Sequence, residues 1–210
     1  MKIAVIGTGN VGGTLGRRWA GNGHQVVFCS RTPGSDRVKA LVDAAGANAR
    51  AAGISEGVAV SDVVVFATPW AGTLDLVEAA GSLQGKIVVD CTNPLRPDLS
   101  GLSIDGDTSG AEQIAQRAKG GRVVKAFNTI SSLTMADPLF GSERADLFLC
   151  GDDADAKRTV AQLAQELGFE VVDAGPLRSA RYLEYLAMLW VHMAFKENWG
   201  PNFTFKILKR

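Results

Sequence analysis

Histidine is nearly absent from this 210-residue chain, which holds only His24 and His192. There is no His-Glu-x-x-His, no Gly-x-Ser-x-Gly and no P-loop, so three common catalytic signatures are excluded. Cysteine is scarce as well. Cys29, Cys91 and Cys150 lie far apart without a Cys-x-x-Cys pair, which excludes a Cys-rich zinc site, and their odd number argues against a disulfide framework. Each sits in or beside an apolar run, the usual setting of a buried, inert thiol. No metal is expected. Net charge is missing too, because 22 Lys and Arg cancel 22 Asp and Glu. Neither nucleic acid nor an anionic membrane is therefore an expected partner. The longest nearly uncharged run, Leu186 to Phe195, falls short of the ~18 residues a membrane span requires. The opening Met-Lys-Ile-Ala-Val-Ile-Gly has no leader-like apolar stretch or cleavage site, so a soluble cytoplasmic protein is expected.

What is present is globular in kind, with 46% apolar and 21% charged residues. The length suits one domain, or one domain with a small appendage, against a prior of ~150 residues per domain. Glycine is plentiful, 24 of 210 residues, and spread along the chain, which marks turns and close backbone approaches.

Apolar runs alternate with helix-period segments. Strands are predicted at Lys2–Gly7, Gln25–Ser30, Val58–Val60, Val63–Thr68, Lys86–Cys91, Arg122–Asn128, Leu147–Cys150 and Phe169–Ala174. Helices are predicted at Val11–Gly21, Ser35 to Ala52, Gly72–Gly81, Ser109–Ala118, Asp153–Leu167 and Ser179–Lys196, with a loop over Leu95–Thr108. Near-continuous apolar strands separated by helices predict an α/β fold whose mostly parallel sheet is covered on both faces. Residues 1–175 form the expected dinucleotide-binding domain. Residues 176–210 are too few for a core of their own and form a helical segment packed on that core or on a dimer interface.

Gly7-Thr8-Gly9-Asn10-Val11-Gly12 reads Gly-x-Gly-x-x-Gly between an apolar strand and an amphipathic helix. In that setting it is the phosphate-binding turn of a doubly wound Rossmann fold. Gly7 permits the tight turn, Gly9 lets a pyrophosphate approach and Gly12 lets helix pack on strand. The helix N-terminus then offers N–H groups and a positive dipole end to phosphate. The next strand ends in Ser30-Arg31-Thr32, with no carboxylate where an NAD site places one for the ribose 2′-hydroxyl. A hydroxyl and a guanidinium suit a 2′-phosphate, and Arg37 and Lys39 add charge nearby, so NADP(H) is favoured over NAD(H).

Other strand ends are also marked. They are Ala67-Thr68-Pro69-Trp70, Thr92-Asn93-Pro94 and Asn128-Thr129-Ile130. Their small polar residues can hydrogen-bond a nicotinamide ribose or amide, although strand-stop chemistry gives similar sequences. His24 reads as structural and His192 as a satisfied core histidine. Tyr182, Glu184 and Tyr185 could supply a proton, with a place on the helix surface as the plainer alternative. No catalytic residue is assigned, because the cofactor can carry the hydride chemistry and the protein need only orient two partners.

Together these features resemble the coenzyme F420-dependent NADP oxidoreductases, with the NADPH-binding domain of the STEAP metalloreductases as a cousin. The resemblance rests on Ile6 to Gly12, Ser30-Arg31, Ala67 to Trp70, Asp90 to Pro94 and Val123 to Ile130. Gly151-Asp152-Asp153, Asp173 to Leu177 and Ser179-Ala180-Arg181 extend it over nearly the whole chain. It implies a Rossmann core, a homodimer, NADPH held by Thr8, Ser30 and Arg31, and a deazaflavin or flavin ring beside Asn128 and Ile130. Archaeal members carry histidine at the place of Asn128 and lysine at that of Ser35, so F420, a flavin and a quinone all stay open as acceptor.

The leading expectation is thus an oxidoreductase passing hydride between NADPH and an F420- or flavin-type acceptor. The dinucleotide contacts are expected from Gly7 to Gly12, Ser30, Arg31, Ala67, Thr68, Pro69, Asn93 and Pro94. A reductase of imines or hydroxyacids shares the glycine turn but needs a larger helical C-terminal domain. A non-catalytic NADP(H)-sensing module is the third possibility.

Overall fold

The computed structural model describes residues 1–104 and 106–210. The strands are β1 (Lys2–Ile6), β2 (Gln25–Cys29), β3 (Ala49–Ala52), β4 (Val63–Phe66), β5 (Ile87–Asp90), β6 (Arg122–Ala126), β7 (Leu139–Phe140), β8 (Glu143–Arg144), β9 (Asp146–Gly151) and β10 (Glu170–Asp173). An eight-stranded sheet runs β10-β9-β6-β5-β4-β1-β2-β3. From β3 to β6 it is parallel and has the doubly wound order, with its switch point between β1 and β4. β9 joins β6 antiparallel, and β10 lies parallel to β9. The sheet is mostly parallel, as its apolar runs predict.

The helices are α1 (Asn10–Gly21), α2 (Asp36–Ala45), α3 (Ile54–Ala59), α4 (Thr73–Ala79), α5 (Gly110–Arg117), α6 (Ser132–Ala136), α7 (Ala154–Gln165) and α8 (Ala180–Phe195). Strand side chains alternate between two cores. Ile3 and Val5 meet Leu15 and Trp19 of α1, Met135 of α6 and Leu163 of α7 on one face. Ala4 and Ile6 share the other core with Val58 of α3, Val77 of α4, Ile114 of α5 and Leu183 of α8. Burial on both faces is why the central strands are apolar at consecutive positions.

Several local expectations are corrected. The helix expected from Ser35 to Ala52 stops at Ala45, where Gly46 takes φ 80°, and Ala49–Ala52 becomes edge strand β3. The free edge of β2 supplies partners that outweigh the helix propensity of alanine. Val58–Val60 is not a strand. Ile54 and Val58, one helical turn apart, place α3 against the core, and Val60 caps it. Helix α6 and the β7–β8 hairpin were not foreseen. The loop reading over Leu95–Thr108 includes Asp105, which lies outside the described residues. His192 is exposed, not core, and faces Glu197 at 3.2 Å.

Beyond α8 the chain folds back on itself. Trp190 stacks on Phe203 with centroids 5.2 Å apart and donates its indole N–H to the Phe203 carbonyl at 3.1 Å. Lys206 then reaches Glu170 at 2.8 Å and Asp146 at 3.3 Å. These two carboxylates begin β10 and β9, at the carboxyl end of the parallel strands. Among the described residues no helix is long and apolar enough to cross a membrane.

Candidate functional site

The carboxyl ends of β1, β2, β4, β5 and β6 lie side by side, and each residue expected to contact the dinucleotide or the acceptor follows one of them. Gly7 turns the chain out of β1 with φ 113°. A Cβ there would come within 2.7 Å of the Ala67 carbonyl carbon and 3.1 Å of Thr68 Cγ2, so the ends of β1 and β4 touch only through glycine. A Cβ on Gly12 would overlap the Gly7 carbonyl oxygen, whereas one on Gly9 would meet nothing within 4 Å. Asn10 and Val11 open α1, which has no capping side chain and no acidic residue in its first turn.

Thr8, Ser30, Arg31 and Thr68 line one cavity of about 140 Å³. A neighbouring cavity of about 450 Å³ shares Arg31 and Thr68 and adds Pro69. The Ser30 hydroxyl accepts the Thr32 N–H at 3.1 Å, which shapes the bend after β2. Arg37 donates to the Thr8 carbonyl at 3.1 Å, tying α2 to the glycine turn. A groove of about 530 Å³ lies beyond, bordered by Thr8, Gly9, Asn10, Arg17, Arg37 and Ser132. The Thr68-Pro69 turn is held from α4, where Thr73 Oγ1 donates to the Pro69 carbonyl and pairs with Thr68 Oγ1, both at 2.9 Å.

Asn93, Pro94, Asn128 and Ile130 form a second, more buried group. The Asn93 amide donates to the Asn128 carbonyl at 2.8 Å. Asn128 Nδ2 donates in turn to Asn93 Oδ1 at 2.9 Å and to the Leu183 carbonyl at 3.1 Å. Both donors of Asn128 are thereby spent, while its Oδ1, and Thr129 Oγ1 beside it, are buried without a partner. Phe127 precedes them at φ 64°, a strained conformation for a bulky side chain. Its ring is clamped edge-on between Trp19 at 5.8 Å and Phe169 at 6.2 Å.

Below this pair lies a charged cluster that sequence reasoning missed. Lys125 is fully buried, and its ammonium donates to Asp90 Oδ2 at 2.8 Å, to Glu184 Oε1 at 2.9 Å and to the Thr92 carbonyl at 2.6 Å. Burial opposes the charge on Lys125, but Asp90 and Glu184 outweigh it and hold its pKa above the ordinary lysine value. Burial pushes the Glu184 carboxyl up, while Lys125 and the Gly110 N–H pull against that. The helix-surface alternative for Glu184 is therefore corrected: it is 1% exposed, whereas Tyr182 and Tyr185 are exposed.

The remaining candidates are structural. His24 Nε2 meets Glu166 at 2.6 Å at the far, amino end of β2. The three cysteines are free and buried, and burial raises each thiol, Cys29 and Cys150 to about 12. Among the described residues no cluster of His, Cys, Asp and Glu is placed to hold a metal.

The model of one family, "NADP oxidoreductase coenzyme F420-dependent", matches residues 2–94. The chain is 30% identical over 210 residues to the F420-dependent NADP reductase of Methanocaldococcus jannaschii, covering 93% of each. It is 32% identical over 188 residues to the rat metalloreductase STEAP3, of which it spans only 36%. A crystal structure from Arthrobacter sp. FB24, provisionally assigned as an F420-dependent NADP-reductase, superposes with a TM-score of 0.90 at 33% identity over the full length of both chains.

Proposed function

The chain belongs to the coenzyme F420-dependent NADP oxidoreductase family, and from that membership we propose that it moves hydride between NADPH and the ring of F420 or a flavin. The observation that carries the reading is Asn128. Its Oδ1 is buried, unpartnered and fixed in direction at the end of β6, across the strand ends from the glycine turn. An orphaned acceptor of this kind costs about 1–3 kcal/mol, which a ligand N–H would recover.

The residues present fit a dinucleotide phosphate. Gly9 leaves open space where a side chain would obstruct the diphosphate, and α1 meets it with no acidic residue in its first turn. Ser30 and Arg31 carry a hydroxyl and a cation at the end of β2 without a competing carboxylate. When bound, the reduced nicotinamide supplies the hydride. The chain orients: Thr68 and Pro69 wall the cofactor, and Asn93 and Asn128 hold a fixed amide face toward the acceptor ring, with Ile130 beside it. No side chain need transfer a proton for this reading.

In this reading residues 1–175 hold the dinucleotide, and residues 176–210 wall the acceptor side and carry the subunit contact. Tyr182, Tyr185 and Leu189 line one exposed stripe of α8, at 74%, 57% and 48% exposure. An apolar stripe of this size is one that a second copy of the chain would cover, giving a cytoplasmic homodimer.

Stopped-flow oxidation of NADPH against F420, FMN, FAD and simple quinones tests the proposal. Single-turnover reduction of F420 or a flavin is expected. Tight NADPH binding with no acceptor reduced would instead support the sensing module.

A further inference from the structure

The buried Asp90–Lys125–Glu184 cluster is more than a stabilising ion pair. Replacing buried ion pairs by apolar groups is often neutral or stabilising, so their presence asks for another reason. Here the three contacts of one ammonium tie together two distant pieces of chain: the Asp90–Thr92 stretch at the end of β5, and α8. Asp90 Oδ1 also accepts both the N–H and the hydroxyl of Thr92, at 2.8 and 2.7 Å. Glu184 Oε2 and Oε1 accept the Gly110 and Ala111 N–H groups at 3.1 and 3.3 Å.

These bonds close a ring. Lys125 fixes Thr92, the next residue Asn93 pairs with Asn128, Asn128 donates to Leu183, and Glu184 returns to Lys125. Packing alone would hold α8 on the sheet. It would not fix which end of the Asn128 amide faces Asn93 and Leu183, because an amide and its flipped form have the same shape. The ring does fix it, by placing acceptors at Asn93 Oδ1 and Leu183 O.

We infer that Lys125 is a positioning residue for the hydride-accepting side of the cleft, holding the Asn93–Asn128 pair in its working orientation through Thr92 and Glu184. This rests on the proposed role of Asn128 as the ring-facing group. The cluster touches neither the glycine turn nor Arg31, so the dinucleotide's adenosine and diphosphate contacts are independent of it.

The test uses E184Q and the double variant K125M/E184L. The double variant removes one cation and one anion together, so the buried net charge is unchanged if K125M alone fails to fold. Side-chain amide NMR of the free protein is the first readout. The Asn128 NH2 should be slowly exchanging in the wild type and lose that protection in both variants below their melting temperatures. The second readout is kinetic. Turnover with the acceptor should fall roughly 10- to 100-fold, the loss expected for a misplaced orienting group, while the NADPH Kd stays within about twofold. Folded variants with protected Asn128 amides and unchanged kinetics would overturn the inference, as would an equal loss of NADPH affinity. If the wild type reduces no acceptor, the functional reading fails, and amide protection still decides the positioning role by itself.

Discussion

The carbonyl oxygen of Gly7 lies so close to the Cα of Gly12 that a methyl group on Gly12 would overlap it. Gly9, between them, faces open space. The two glycines should therefore fail in different ways. Gly12→Ala is expected to destabilise the fold by about 1–3 kcal/mol, the usual cost of overpacking, lowering Tm by roughly 2–4 °C per kcal/mol. Gly9→Ala should melt normally yet bind NADPH at least about tenfold more weakly, or about 1.4 kcal/mol. Melting curves and a fluorescence titration on both variants separate the cases.

Arg31 is exposed beside Ser30. If its guanidinium holds the 2′-phosphate, charge-assisted bonds of about 1.5–3 kcal/mol are lost in Arg31→Ala. NADPH affinity should fall roughly 10- to 150-fold, and NADH affinity should barely change. Arg31→Lys should recover only part, as a point charge without the planar fork. An equal loss for both cofactors would assign Arg31 to the loop or the adenine instead.

The thiols of Cys29 and Cys150 are raised to about 12 by burial, and that of Cys91 higher still. At pH 8 almost no thiolate exists to react. Native protein should thus stay unlabelled by iodoacetamide over hours, and all three cysteines should label once it is unfolded in guanidinium. Mass spectrometry reads this directly.

Glu112 and Arg181 join α5 to α8 through two hydrogen bonds of 2.8 and 2.9 Å. Arg181, with help from Ser109, holds the Glu112 carboxyl below its ordinary value of 4.5. The folded pKa is the lower one, so the pairing stabilises the fold above the unfolded carboxylate range and is lost as pH falls through the folded value. Glu112→Gln should lower Tm at pH 7. The gap to the wild type should close as both are acidified below about pH 4.

The Tyr182, Tyr185 and Leu189 stripe predicts a dimer at micromolar concentration. Light scattering should give twice the chain mass for the wild type, and Leu189→Asp should shift it toward monomer. A wild-type monomer would leave the stripe to another partner.

The sheet was legible in the sequence because strands buried on both faces cannot afford polar positions, and the glycine turn because the backbone approaches at Gly7 and Gly12 leave no room for a side chain. The end of β2 was legible for a similar reason, since a missing carboxylate needs no tertiary context to be noticed. Ala49–Ala52 was not, because three alanines and an arginine, all of good helix propensity, extend only when the edge of β2 is there to pair with them. Nor was the charged cluster. A lysine beginning Lys125-Ala126-Phe127 and a glutamate between two tyrosines look like surface residues. Their burial depends on a partner 59 positions away in the chain, and neither charge could enter the core until folding supplied the other.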